Sequence, residues 1–168
     1  MGASGSGKTT VGAKLAARLG RPFADADDFH PEANVRKMQR GTPLDDDDRA
    51  PWLASIRAWL AERSRAHESA VVTCSALKRR YRDVLRAAPG RVRFVHLTGS
   101  RELLQQRVGG RQGHFLPTSI LPSQLATLEP LEPGEDGVTV EVDVPPDEVV
   151  ERALRALGEG GCGERDRG

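Results

Sequence analysis

Gly2-Ala3-Ser4-Gly5-Ser6-Gly7-Lys8-Thr9 satisfies the pattern G-x-x-x-x-G-K-[ST] at every fixed position. Three glycines let the backbone curl until successive N–H groups point inward, and a helix starting near Lys8 adds its positive N-terminal end at the same place. The product is a cradle for phosphate oxygens. Lys8 is then placed to reach the β and γ phosphates of a nucleoside triphosphate, and the Thr9 hydroxyl to ligate Mg²⁺. Gly2, Ser4, Gly5, Ser6, Gly7, Lys8, Thr9 and Thr10 are the nucleotide-binding candidates, with Lys8 also catalytic. The plainer alternative for a Gly/Ser-rich start is a flexible tag. The residues that follow argue against this: Val11, Leu15 and Leu19 form one stripe, and Ala13, Ala16 and Ala17 favour a helix over 10–19.

A phosphate loop normally follows a buried strand, yet only Met1 precedes Gly2. Either the true start lies several residues upstream, which is the preferred expectation, or the first strand is stunted.

Working outward, the 168 residues suit one domain over 1–157. The net charge of +1 gives no footprint for nucleic acid or an anionic membrane, so the expected partners are small molecules. Cys74 and Cys162 sit in unlike surroundings, which points to a reducing, cytoplasmic setting. No apolar run approaches the roughly 18 residues of a membrane span, and no secretion signal opens the chain.

Short apolar runs alternate with helical periodicity. Strands are predicted over 21–24, 70–73, 92–97 and 138–142. Helices are predicted over 32–40, from Asp48 as cap through Trp52, Leu53, Ile56, Trp59 and Leu60 with Pro51 in the first turn, and over 75–86, 101–108, 123–128 and 146–157. Residues 111–122 have weak periodicity and two prolines and read as a mobile lid; 158–168 read as a disordered tail. The fold class is α/β, a parallel sheet flanked by helices.

A phosphate loop leaves open what happens to the γ-phosphate. Neither a guanine-reading N-K-x-D nor the strand-borne acidic pair of a motor ATPase is present, which leaves a small-molecule kinase. Such an enzyme needs a carboxylate to orient or deprotonate the acceptor hydroxyl and cations to neutralise the moving phosphoryl group. Asp25 and Asp27, two apart, share a face of an extended chain and can divide metal and acceptor duties; the plainer alternative is a solvated acidic loop. Asp45 to Asp48 read as a water-facing charge run. His30 is too isolated for a zinc site. Arg107 and Arg111, spaced i, i+4 with His114 nearby, can close over ATP unless they are a surface pair. Lys78, Arg79, Arg80 and Arg82 follow the strand ending at Cys74 and suit a carboxylate-bearing acceptor, while Lys37 and Arg49 follow the acidic loop.

The stretch Asp25-Ala26-Asp27-Asp28-Phe29-His30-Pro31, with Asn34, Lys37-Met38, Gly41, Pro43-Leu44, Asp46, Asp48-Arg49 and Pro51-Trp52-Leu53, resembles the acceptor-binding signature of the gluconokinases. Cys74-Ser75-Ala76-Leu77-Lys78 with Tyr81-Arg82-Asp83 resembles that family's second signature, and Arg111, Gly113-His114-Phe115, Ser123-Gln124 and Thr127-Leu128-Glu129 its lid. Ala26 stands where Gly is expected and Phe29 where Leu is expected. The resemblance implies transfer of the γ-phosphoryl of MgATP to the C6 hydroxyl of D-gluconate. It implies the nucleoside monophosphate kinase fold, a phosphate-loop three-layer sandwich whose five parallel strands run in the order 2-3-1-4-5, here with the first truncated or missing. It makes Asp27 the base or orienter, with Asp25 nearer the metal, and Arg49, Lys78 and Arg82 binders of the acceptor and its carboxylate. His30, Lys37 and His114 join them as acceptor-side candidates. Arg107 and Arg111 serve ATP and the lid, Arg111 as a catalytic candidate. A homodimer is implied by the resemblance alone. A kinase for another hydroxy acid such as shikimate, or an ATP-binding regulator without transfer, are the alternatives.

Overall fold

Helix α1 (Lys8–Leu19) starts on the lysine of the phosphate loop and buries Val11, Gly12, Leu15 and Ala16. Gly12 is what allows its close approach to the strands, because a Cβ there would meet the Thr73 methyl at 2.4 Å and the Phe23 ring at 3.0 Å. The helix ends on Gly20, whose left-handed backbone (φ 61°) lets its N–H cap the last turn. The computed structural model describes residues 1–110 and 120–159. After α1 these form β1 (Phe23–Asp25), a 3₁₀ turn (Ala26–Phe29), α2 (Glu32–Gln39), α3 (Asp46–Arg65), β2 (Val71–Thr73) and α4 (Arg79–Arg86). They continue through β3 (Phe94–Thr98), α5 (Arg101–Gly109), α6 (Ile120–Thr127), β4 (Gly137–Glu141) and α7 (Pro146–Leu157).

Every strand pairing among the described residues is parallel. Strand β1 pairs with β2, Phe23 opposite Val71, and β3 with β4, Phe94 opposite Gly137. Met1 lies along β3: its nitrogen donates to the Val95 carbonyl, and its own carbonyl accepts from the Leu97 N–H at 2.8 Å. Side chains on β3 go to two apolar clusters. Leu97 and Val95 join Leu15, Leu104, Val142 and Val150, whereas Phe94 joins Trp52, Ile56, Tyr81 and Leu85. Apolar side chains thus go to both faces of β3, as in a strand covered on both sides, with His96 the one titratable residue within it. Helices α1 and α7 pack together, as do α3 and α4.

Three local expectations need correction. The helix predicted over 75–86 begins only at Arg79, because residues 75–78 form a loop in which Ala76 takes φ 38° and the Ala76 and Leu77 carbonyls accept from Arg82. The cap of α3 is Asp45, with Asp48 as its reciprocal partner in a capping box, so Pro51 falls in the second turn. Helix α6 starts at Ile120, so the end of the expected lid is helical. The rest of that lid and nearly all of the expected tail, with Arg111, His114 and Cys162, lie outside the described residues. Among those described, no helix is long and apolar enough to cross a membrane.

Candidate active site

The loop is built around the Ala3 carbonyl, which accepts from the Ser6 hydroxyl at 2.8 Å and from Lys8 Nζ at 3.0 Å. Two glycines are dictated by space as well as by backbone. A Cβ on Gly2 (φ 150°) would lie 2.5 Å from the Leu97 carbonyl oxygen, and one on Gly5 (φ 82°) 2.5 Å from that of Leu104. The loop is thereby wedged between β3 and α5. Gly7 occupies the N-cap of α1 and offers no side-chain cap, so the opening N–H groups of a 12-residue helix face the loop's concavity.

At the edge of this cradle the Thr9 hydroxyl donates to Asp25 Oδ2 at 2.7 Å. The other Asp25 oxygen accepts the Asp27 backbone N–H at 3.2 Å, making Asp25 the N-cap of the 3₁₀ turn. The expectation that Asp25 and Asp27 share a face of an extended chain is therefore corrected: the chain turns between them. Asp25 stays with Thr9, while Asp27 is exposed on the turn. Trp52 Nε1 donates to the Ala26 carbonyl at 2.7 Å and pins this turn to α3. His30 stacks on Trp52, ring centroids 4.5 Å apart and 8° from parallel. Burial, and then the charge of Arg49, push its pKa down to about 4.

Beside the turn lies a cleft of about 300 Å³ between the start of α3, the start of α4 and α6. Its walls include Arg49, Lys78, Asp46, Tyr81, Ser123 and Gln124. Asp46 is its central anion: it accepts from the Tyr81 hydroxyl, from Arg80 and from Lys78 (3.3 Å), and these donors, Tyr81 foremost, hold its carboxyl below the usual range. Arg49, Lys78 and Arg80 surround the Tyr81 ring at 5.6, 5.5 and 5.7 Å from its centroid.

Of the acceptor-side residues expected from the sequence, Arg49 and Lys78 line the cleft and His30 lies beside Arg49. Two others do not face it. Lys37 is bound to the capping box of α3, 3.1 Å from Asp45 and in contact with Asp48. Arg82 must be corrected outright. Its guanidinium is wholly buried, bidentate on Glu135 at 2.6 and 2.7 Å, and donates to the Glu129 and Pro130 carbonyls as well. Arg107, half-buried on α5, donates to the Val142 carbonyl at 2.7 Å. Helix α5 is described to Gly109, and Arg111, the expected i, i+4 partner of Arg107, lies outside the described residues.

Residue-type reasoning passed over Asp46, Tyr81 and Gln124. Asp46 was masked by its place in a run of four aspartates, and Tyr81 by its place on an apolar helix stripe. For Gln124 the available signal was its position in the lid motif.

A phosphate cradle beside a polar cleft lined by both cations and carboxylates, with Gln124 reaching from its wall to the loop, defines the class: a phosphate-loop kinase that holds its donor in the loop and has separate room for a small acceptor. Residues 4–124 match the family model described as shikimate kinase. A gluconokinase of Gluconobacter oxydans (strain 621H) is 52% identical over 157 residues, covering 92% of this chain and 87% of that protein. Among solved structures, a sugar kinase from Janibacter sp. HTCC2649 superposes with a TM-score of 0.89 at 52% identity, covering 94% of this chain and 91% of that one. A gluconokinase from Sinorhizobium meliloti 1021 gives 0.84 at 50%, covering 94% and 89%. This chain belongs to the gluconokinase family.

Proposed function

We propose that this protein transfers the γ-phosphoryl group of ATP to the C6 hydroxyl of D-gluconate, giving 6-phospho-D-gluconate and ADP. The observation that carries the reading is the cleft itself, where Arg49 and Lys78 offer cations to a carboxylate next to the phosphate loop. The loop amides and Lys8 hold the triphosphate. Asp27 takes the proton of the C6 hydroxyl as its oxygen bonds to the γ-phosphorus, and the bond to the β–γ bridging oxygen breaks to release ADP. His30 bounds the acceptor side. Arg107 and Arg111 serve the nucleotide, Arg111 also in catalysis, and His114 the acceptor.

Thr9 and Asp25 would hold Mg²⁺. Their oxygen pair suits this hard cation, which commonly takes one or two protein ligands and completes its shell with phosphates and water. Bound there, it would neutralise charge on the triphosphate. The reading includes a five-stranded sheet in the order 2-3-1-4-5, with Met1 at the position of the central strand between β2 and β3; its two hydrogen bonds to β3 support that placement. A cytoplasmic setting belongs to it too.

Purified protein with MgATP should release ADP in proportion to gluconate and yield the C6 phosphate ester. Phosphorylation of shikimate or another polyol acid with none of gluconate overturns the assignment. Asp27→Asn should lower turnover by about 10²-fold; near-normal turnover would remove Asp27 from the chemistry.

A further inference from the structure

Helix α6 stands between the two halves of the site. Leu121 anchors it in the apolar cluster beneath α1 and α7, and the chain just after it is tied to the cleft by the Glu129 N–H on the Leu77 carbonyl at 2.8 Å. From this fixed position Gln124 Oε1 accepts the backbone N–H of Ser4 in the phosphate loop at 2.7 Å, across 120 residues of sequence. The same side chain lines the acceptor cleft. No other residue of the described chain both lines that cleft and bonds to a phosphate-loop amide.

We propose that Gln124 is a positioning residue that reports the γ-phosphate to the acceptor cleft; this rests on the kinase reading above. The group to be transferred must leave the loop toward the cleft, and Gln124 is the side chain they share. A phosphate oxygen is a stronger acceptor than a neutral carboxamide, because its hydrogen bond is charge-assisted. An arriving γ-phosphate therefore takes the Ser4 N–H from Gln124. The released carboxamide donates through its NH₂ to the γ-phosphate and turns its oxygen to an acceptor hydroxyl. ADP has no γ-phosphate and leaves the Ser4 contact in place. Gluconate then binds more tightly beside a triphosphate than beside a diphosphate, and linkage makes the effect reciprocal.

The test is titration of gluconate into the full chain, saturated with Mg²⁺ and either ADP or the non-hydrolysable β,γ-imido analogue of ATP. Wild type should bind gluconate at least about 5-fold tighter with the analogue, the low end of ordinary site-to-site coupling. In Gln124→Ala, and in Gln124→Met, which keeps length but not hydrogen bonding, the two affinities should coincide while both variants remain folded and still bind ADP. A merely structural role would not remove the ratio selectively. A wild-type ratio of one, or a ratio retained in both variants, overturns the proposal. A second readout needs no acceptor: the Ser4 amide resonance should shift with the imido analogue and not with ADP. Equal shifts overturn the role of Gln124. A selective Ser4 shift without gluconate binding upholds it and overturns gluconate as the acceptor.

Discussion

His30 and His96 are both kept neutral by the fold, each pushed from 6.5 to about 4, in the first place by burial. His30 lies flat on Trp52 with Arg49 as a second, repelling cause, and the Nε2 of His96 is buried without a hydrogen-bond partner. A depressed histidine pKa means that the unfolded chain binds more protons than the folded one between those two values. Their contribution is whole above pH 6.5 and is lost as pH falls toward 4. The urea midpoint, followed by tryptophan fluorescence, should decline between pH 7 and pH 5, a window above the carboxylate range, and His30→Asn should make that decline shallower. An unchanged slope would show that His30 titrates alike in both states. At this scale the resemblance marked His30 as an acceptor-side residue, but only the tertiary structure, which buries it and sets Arg49 near it, explains why it stays uncharged.

The phosphate loop and α1 act as one element, and their glycines are not equivalent. Gly20 has φ 61° with nothing within 4 Å of a would-be Cβ, so Gly20→Ala meets only the left-handed backbone penalty of about 1–2 kcal/mol. Gly5 has φ 82° and in addition a Leu104 carbonyl oxygen 2.5 Å from the would-be Cβ. A backbone oxygen cannot move aside as the tip of a side chain can. Gly5→Ala should therefore displace the loop from α5 and weaken nucleotide binding by at least about tenfold, or about 1.4 kcal/mol, whereas Gly20→Ala should leave nucleotide affinity unchanged. Calorimetric titration of ADP into both variants checks the contrast. Helix α3 shows the same dependence on element ends: its first turn supplies the Asp45–Asp48 box that holds Lys37 and the Asp46 that organises the cleft.

Across the whole molecule, the buried Arg82–Glu135 pair joins segments far apart in sequence. Arg82 gathers the Ala76, Leu77, Glu129 and Pro130 carbonyls, and so fixes the loop that ends on Lys78 against the chain that leaves α6. The Arg82 hydrogen bonds, foremost, hold the Glu135 carboxyl down at about 2, against an ordinary 4.5. Its stabilisation is present above pH 4.5 and is lost as pH falls toward 2. Arg82→Met leaves a buried, unpaired carboxylate and should cost about 3–5 kcal/mol in denaturant unfolding. Arg82→Met with Glu135→Leu should recover much of that, since apolar replacement of a whole buried pair is often near neutral. A double variant no better than the single one would show that the carbonyl contacts, not the carboxylate, carry the cost.

Local pattern was enough for α7, whose bounds are those expected, for the phosphate loop, a motif of residues adjacent in the chain, and for β3, where Phe94, Val95 and Leu97 send apolar side chains to both faces. Local pattern did not pair Asp25 with Thr9, a contact made where the chain turns between Asp25 and Asp27. It failed where the partner of a side chain lies far off. Arg82 has the same guanidinium as Arg49, and nothing local says that one would be enclosed by Glu135 while the other stays in the cleft. Asp46 differs from its three aspartate neighbours only because α4 delivers Tyr81, Arg80 and Lys78 to it. The sequence by itself thus determined the class of fold and the donor half of the site, since short-range periodicity and backbone geometry suffice for both. Which charges line the cleft, and that Gln124 meets Ser4, was decided by tertiary structure alone, because those contacts depend on how separate elements pack.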